Sequence, residues 1–424
     1  MSIHGFLPRE RYSNMRLTIS QRDAEVVCPL QARRRPLQRI EVALFIPDFR
    51  IGGAERQALE LASRLCRDRY RVTLITLRGD GELRESFLSL PGLRVVTLNA
   101  RTSFTALLRL IREIRENKIE VLHSFLTATN VYSLLGGLFL PQLKVVIGLR
   151  DSLPASSYRH GSQIRQMQTR MLSFLVRRLR PFSDRLITNS EAGRVAYEKH
   201  FRIRSTVISN GVDTEQFKPD STAHDLLRRL VEAPAEAKFV GILANCTGYK
   251  DYPTFVRAAK VIVENLYDVR FISIGEDRTD TGSRVKGLVQ QSGLQRFFHF
   301  LGTRRDVHKL VPGLDVLCSS SITEGFSNAI AEAMACGVPC VVTDVGDSHR
   351  IVGNTGIVVS PGDPEALALG VIALLRKSVA ERQSLSSAAR QRIVQNFDAA
   401  VMASQHEHLY ESLLLENAQE RSND

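Results

Sequence analysis

The sequence predicts an α/β protein built from two doubly wound, Rossmann-like domains that face each other across a cleft, with helices at the C-terminus. Three observations carry this. The chain has 424 residues, enough for two hydrophobic cores of ordinary size. Continuous apolar runs of strand length alternate with amphipathic helical stretches, the pattern of parallel sheets covered on both faces. Charge is unevenly divided: residues 1–210 hold 35 Lys and Arg against 18 Asp and Glu, and the remainder holds 22 against 27. A basic half joined to a mildly acidic half implies two domains with different partners.

Residues 1–38 are polar and Arg-rich, and they are expected to form a disordered basic extension. The first domain is expected over 39–208, with strands at Ile40–Ile46, Arg71–Leu77, Arg94–Leu98, Ile119–His123, Lys144–Leu149 and Arg185–Thr188. Helices are expected over Ala54–Cys66, Phe104–Glu116, Thr129–Leu138 and Ile164–Leu179, and after Ser190. The stretch TVISNGVDTEQFKPD, 206–220, holds an Asn-Gly turn and a Pro, so the boundary falls there. Alternation then restarts over 209–395, with strands at Lys238–Leu243, Val269–Ile274, Phe297–Phe300, Asp315–Ser319 and Pro339–Thr343. Residues 396–424 are expected to be a helix packing back on the first domain, and a tail.

Other classes are excluded by what is missing. The six cysteines show no CxxC and no Cys/His zinc spacing, so reduced buried thiols of a cytosolic protein are expected. The first thirty residues lack the apolar core of a signal peptide. The most apolar region, Val131–Leu149, is too interrupted by Gly, Pro and Lys to span a membrane. The basic half suits an anionic membrane surface or an anionic lipid-linked substrate. No nucleic-acid partner is expected, because no binding motif appears and the aromatics are not interleaved with the arginines.

The stretch with the most chemistry is DVLCSSSITEGFSNAIAEAMACGVPCVVTDVGD, 315–347, which reads as strand, loop, helix, strand and loop. Glu324 and Glu332 bracket the loop and the helix, one before the helix start and one about two turns inside it. A helix N-terminus offers unpaired N–H groups and the positive end of the dipole. Amides for phosphate and carboxylates for hydroxyls would therefore meet at one place. Lys250 lies in the loop after the second domain's first strand, where it points a cation toward the cleft. Gly275 and the Gly302–Asp306 turn follow the next two strands. In the first domain, Gly52-Gly53 opens a helix after strand one, and His123 ends a strand at the same edge. No GxGxxG, P-loop, GxSxG or HExxH motif occurs, and no acidic pair stands where a metal-bound diphosphate would need it, so no metal is expected.

Taken together, IGGAERQ at 51–57, ITNSEAGR at 187–194, VISNGVDTEQF at 207–217, the Lys250 loop, ISIGED at 272–277, FLGTRRDV at 300–307, the EGFSNAIAEA stretch and VVSPGDPEALA at 358–368 resemble the family 4 glycosyltransferases, over roughly residues 39–415. The resemblance implies the GT-B fold and a retaining, metal-independent transfer from a UDP- or GDP-linked sugar, with no other cofactor. It implies that Glu324 contacts the donor sugar and Glu332 the ribose hydroxyls. Gly325, Phe326, Ser327 and Asn328 would present the helix-start groups to sugar and phosphate. Lys250 would sit on the diphosphate, His123 near the transferred sugar, and Gly52, Gly53, Gly275 and Arg304 would line the donor site. The basic segment holding Arg177, Arg178 and Arg180 is similar to surfaces by which relatives dock on membranes, so a peripheral position on the cytoplasmic membrane face and a lipid-linked glycan acceptor are implied. One departure stands out. Relatives usually pair the Lys with an Arg in the same loop, whereas residues 244–249 here are ANCTGY, leaving Lys250 with Arg304 or Arg305. That departure motivates the alternative, a non-catalytic nucleotide-sugar-binding scaffold partnering another transferase. A dinucleotide-dependent oxidoreductase on the same sheet type lacks its fingerprint.

Overall fold

The computed structural model describes residues 39–423, apart from 101, 151–170, 172, 173 and 267. The extension 1–38 and most of the helix expected at Ile164–Leu179 lie outside the described residues; 174–179 are helical. Strands β1 (Ile40–Ile46), β2 (Tyr70–Thr76), β3 (Leu93–Thr97), β4 (Val121–Ser124), β5 (Lys144–Leu149), β6 (Arg185–Thr188) and β7 (Thr206–Val207) form one parallel sheet in the order β3-β2-β1-β4-β5-β6-β7. Strands β8 (Lys238–Leu243), β9 (Val269–Ile274), β10 (Phe298–Phe300), β11 (Val316–Ser319), β12 (Cys340–Thr343) and β13 (Ile357–Val359) form a second, ordered β10-β9-β8-β11-β12-β13. Each is doubly wound, and the order reverses between β1 and β4 and again between β8 and β11. Two short strands, β7 and β13, have no counterpart in the sequence reading, because two or three residues are too few for a periodic signal.

Helices α1 (Gly53–Arg64), α2 (Arg84–Leu88), α3 (Ser103–Glu116), α4 (Thr127–Phe139) and α5 (Glu191–Phe201) belong to the first half. The second holds α6 (Ala223–Leu230), α7 (Tyr252–Asn265), α8 (Asp280–Gln291), α9 (Val307–Leu310), α10 (Asn328–Ala335), α11 (Ser348–Val352), α12 (Pro364–Leu375), α13 (Val379–Asn396) and α14 (Ala399–Asn423). Alternate residues of each strand feed opposite cores. Phe239 and Ile272 pack on one face of the second sheet, and Val240 and Phe271 on the other. In the first sheet, Val42 and Leu44 face one core and Ala43 and Phe45 the other. Strands buried on both sides must be apolar throughout, which is why they read as unbroken runs.

The halves are joined twice, side by side. Outward, the chain passes Asn210, Gly211 and Val212; it returns through Phe397 and Ala399. Val212 N–H donates to the Phe397 carbonyl and Ala399 N–H to the Val212 carbonyl, each 2.9 Å. Gln57 brackets Gly211 with two further hydrogen bonds of 2.8 Å, and a Cβ at Gly211 would lie 2.6 Å from Ala399 Cα. After the return, α14 lies on the first sheet's side of the molecule, burying Met402, Ala403, Leu409, Tyr410 and Leu413 in the core with Leu44, Val72 and Val121.

Under α14, His123 is fully buried. Its Nδ1 lies 2.7 Å from the Tyr410 hydroxyl, and its ring stacks on Phe125 at 4.3 Å and on His406 at 5.3 Å. His406 Nδ1 donates to the Met402 carbonyl. Burial drives both imidazoles toward the neutral form, His406 down to about 4. Across the seam between the sheets, the Asp347 carboxylate accepts from the Glu191 and Ala192 N–H groups, both at 2.8 Å, so a residue of the second half caps α5 of the first.

Two outcomes follow. Neutral, buried His406 contributes stability that is complete above its unfolded pKa of about 6.5 and is lost as pH falls toward about 4. His406→Gln should therefore flatten the fall in urea midpoint between pH 7 and pH 5; an unchanged slope refutes this role. Asp347→Ala should cost about 2–4 kcal/mol, since a buried carboxylate and its two charge-assisted bonds to half-buried amides are lost. The exposed Asp344→Ala should cost under about 0.5 kcal/mol in the same denaturation series.

Candidate functional site

Parallel strands deliver their carboxyl ends to one edge of each sheet, and both edges open on a single cleft. Two adjoining cavities occupy it, of about 400 and 340 Å³, sharing Gly53, Tyr249, Glu324, Phe326 and Asn328. The first is completed by groups that follow β4, β5 and β6, among them Leu126, Arg150 and Asn189. The second is completed by Arg56, Lys250, Gly275, Arg304, Ser327 and Glu332.

Two helix N-termini face this space, one from each half. The cap of α1 is Gly52, with no side chain to offer; the cap of α10 is Ser327, whose hydroxyl makes no capping bond. The first-turn N–H groups of α10 are thus left for a ligand, whereas at α1 the Glu55 carboxylate leans over the helix start, an oxygen 2.2 Å from where a Gly52 Cβ would lie. Gly53 brings α1 so close that a Cβ there would sit 3.7 Å from Asn328 Nδ2.

One carboxylate before α10 and one within it each hold a cation. Glu324 Oε1 accepts from Lys250 Nζ at 2.5 Å and from Ser321 Oγ at 2.7 Å. Glu332 is buried one turn into α10, not the two that the sequence suggested, because the helix starts only at Asn328, and it accepts from Arg56 of α1 at 2.5 Å, which ties the halves together. Lys250 ends a single 3₁₀ turn, Gly248–Lys250, and Asp251 then adopts a left-handed φ of 45° to cap α7. The Lys250 carbonyl accepts from Ser320 Oγ at 2.8 Å, and Ile322 N–H donates to the Tyr249 carbonyl at 2.9 Å, so the Lys250 and Glu324 loops are stitched together. Gly346, at φ 56°, lets the backbone of Glu324 and Gly325 pass where a Cβ would lie 2.5 Å from the Glu324 carbonyl oxygen.

The fold therefore gathers Gly52, Gly53, Lys250, Gly275, Arg304, Glu324, Gly325, Phe326, Ser327, Asn328 and Glu332 around one cleft. Gly275 has a packing reason as well: its φ is 151°, and a Cβ would meet the Ala244 carbonyl oxygen at 2.2 Å. Arg304 is held by both Asp306 oxygens, at 2.8 and 2.7 Å, whereas Arg305 is exposed and lines neither cavity. His123 is the correction. It lines neither cavity and is sealed under α14, because its place on β4 turns the ring to the helix-covered face rather than to the edge.

Several groups at the cleft escaped the sequence reading. Arg56 stands three residues past Gly53, one helical turn on, so it shares that residue's face; the spacing alone could have signalled it. Arg150, directly after β5, stacks on Phe125 at 4.6 Å and donates to Asn210 Oδ1 at 2.8 Å, while Asn210 Nδ2 donates to Asn328 Oδ1 at 2.8 Å. Burial lowers the Arg150 pKa to about 10, which leaves it charged, and burial raises that of Glu55 nearby.

Residues 51–216 match the family described as Glycosyltransferase Family 4, and 237–377 that described as Glycosyl transferases group 1. A UDP-Gal:alpha-D-GlcNAc-diphosphoundecaprenol alpha-1,3-galactosyltransferase of Escherichia coli is 24% identical over 49% of this chain and 54% of its own length. The lipopolysaccharide core biosynthesis mannosyltransferase LpsB of Rhizobium meliloti is 28% identical over 57% and 68%. The chain thus spans about half of the first relative and two thirds of the second. Among solved structures, Anabaena HepE in complex with UDP-glucose superposes with a TM-score of 0.73, at 21% identity, over 88% of this chain and all of that one. With the two sheets, the cleft and both matched segments in register, the chain belongs to glycosyltransferase family 4 and has the GT-B fold.

Proposed function

We propose that the protein is a retaining glycosyltransferase that moves a sugar from a UDP- or GDP-linked donor to a hydroxyl of a lipid-linked or cell-surface glycan. The observation that carries this is the pairing of Lys250 with Glu324 beside the uncapped start of α10, opposite the uncapped start of α1. The nucleotide occupies the second cavity, its ribose hydroxyls on Glu332 in place of Arg56. The diphosphate lies on Lys250, the α10 amides and Arg304, and the sugar reaches Glu324 at the junction with the first cavity, where the acceptor enters. As the anomeric carbon–phosphate oxygen bond breaks, charge grows on the diphosphate, and the cation and amides fixed around it lower the barrier. The acceptor oxygen bonds to the same face of the carbon, and its proton passes to the departing phosphate oxygen. This positive charge belongs to the chain, so the reading needs no metal.

The acceptor class draws on the relatives. The E. coli protein is named for transfer from UDP-Gal to a diphosphoundecaprenol-linked GlcNAc, and LpsB for lipopolysaccharide core synthesis. Among the described residues no helix is long and apolar enough to cross a membrane. Arg177, Arg178 and Arg180 surround a pocket of about 320 Å³ with Phe174, and Phe174 and Phe182 are exposed nearby. Cations beside exposed rings suit peripheral docking on an anionic bilayer at the cytoplasmic face.

A thermal-shift screen of nucleotide sugars should give one donor class that raises the melting point. With that donor, Lys250→Ala and Glu324→Ala should each lower kcat by about 10²–10³-fold. Donor binding without transfer in the native protein, unchanged by Glu324→Ala, overturns the enzyme reading and leaves the scaffold. Sedimentation with anionic liposomes should fall steeply between 0.05 and about 0.5 M salt, and binding that ignores salt refutes docking by charge.

A further inference from the structure

Arg150 is not used by the donor machinery just described. Its guanidinium sits in the wall of the first cavity with one face against Phe125. Of its five N–H donors, one is engaged among the described residues, Nη1 to the Asn210 side-chain oxygen at 2.8 Å. Nε is buried and has no partner. No carboxylate forms an ion pair with it among the described residues. Glu55 lines the same cavity and is felt through space, but it makes no bond to the guanidinium. A half-buried guanidinium whose Nε is shut away from water, with no carboxylate bonded to it among the described residues, is costly, and an anion that completes it would offset that cost.

The surroundings hold the fork in place. Gly148 lets the chain pass beneath it, where a Cβ would lie 3.7 Å from Nε and 2.8 Å from the Ser124 carbonyl oxygen. Asn210 fixes one edge and is itself fixed by Asn328 at the start of α10. The planar fork is therefore pre-set for an oxyanion in the 400 Å³ cavity. The donor's own phosphates have other seats, on Lys250, Arg304 and the α10 amides of the second cavity.

The geometry points to Arg150 as the receptor for an anionic group, a phosphate or a carboxylate, carried by the acceptor. Resting on the proposed transfer reaction, this narrows the acceptor class: the hydroxyl that is glycosylated belongs to a molecule bearing an oxyanion within one cavity's length. Neutral glycans of the same size are poorer acceptors.

The test keeps the donor site filled. Full-length protein saturated with the nucleoside diphosphate chosen by the donor screen is titrated with inorganic phosphate, acetate and neutral glucose at constant ionic strength, by calorimetry. Phosphate or acetate should bind saturably and glucose should not. Arg150→Met should weaken that binding at least about tenfold while leaving nucleoside diphosphate affinity within about twofold. Arg150→Lys keeps the charge without the planar fork, guards against a folding defect in the first variant, and should give an intermediate loss. Three results overturn the assignment: no anion binding to the saturated native protein, the same anion affinity in both variants, or a loss of nucleoside diphosphate affinity of about tenfold in Arg150→Lys. The last places Arg150 on the donor. If the native protein binds no nucleoside diphosphate, the transferase reading fails first and this assignment falls with it.

Discussion

In a parallel sheet every strand ends on the same edge, and each ending strand must turn into a helix that starts there. Helix starts are electropositive and short of hydrogen-bond partners, so the edge of a doubly wound sheet is an anion-seeking surface before any side chain is placed on it. This chain builds two such edges and faces them together. Everything else in the cleft answers that constraint: glycine at the start of α1, an uncapped Ser327 at the start of α10, and cations added between them. Where a helix start is not meant for a ligand, the protein closes it. Asp347 does this for α5 by reaching across the seam.

The two acids beside the start of α10 are each paired within the protein. Glu324 is neutralised by Lys250 and Glu332 by Arg56, so neither carboxylate is left without a cation. On the proposed donor pose, ribose hydroxyls would take the place of Arg56 on Glu332, exchanging a contact between the halves for one with the nucleotide, while phosphate would compete with Glu324 for Lys250. Donor binding would in this way be coupled to the closeness of the two halves through the Arg56–Glu332 ion pair.

The fold was legible because strands such as Lys238–Leu243 and Val269–Ile274 are buried on both faces and must be apolar along their whole length. The grouping of Glu324, Ser327 and Glu332 was legible for a related reason: they lie within one loop and one helix, so their mutual placement is a matter of local geometry. His123 was misplaced because a strand's two faces look alike in sequence, and the face it took is covered by α14, nearly 300 residues later. Arg150 and Asn210 were missed for the same physical reason. Their partnership spans β5, the crossover and α10, and no periodicity records a contact of that kind. Arg56 is the intermediate case, visible as one turn beyond Gly53, yet meaningful only when Glu332 arrives from the other half.

The double crossover has a consequence for how the protein is made. The first sheet's core includes Met402, Leu409, Tyr410 and Leu413, all from the last helix. When the first half has left the ribosome, its own β-strands are complete but one side of its core is bare, and His123 lacks the hydroxyl it will bond. The second half, with both of its core faces supplied from within, is able to finish first. The earlier domain's core is thus complete only when the chain's trailing helix is in place.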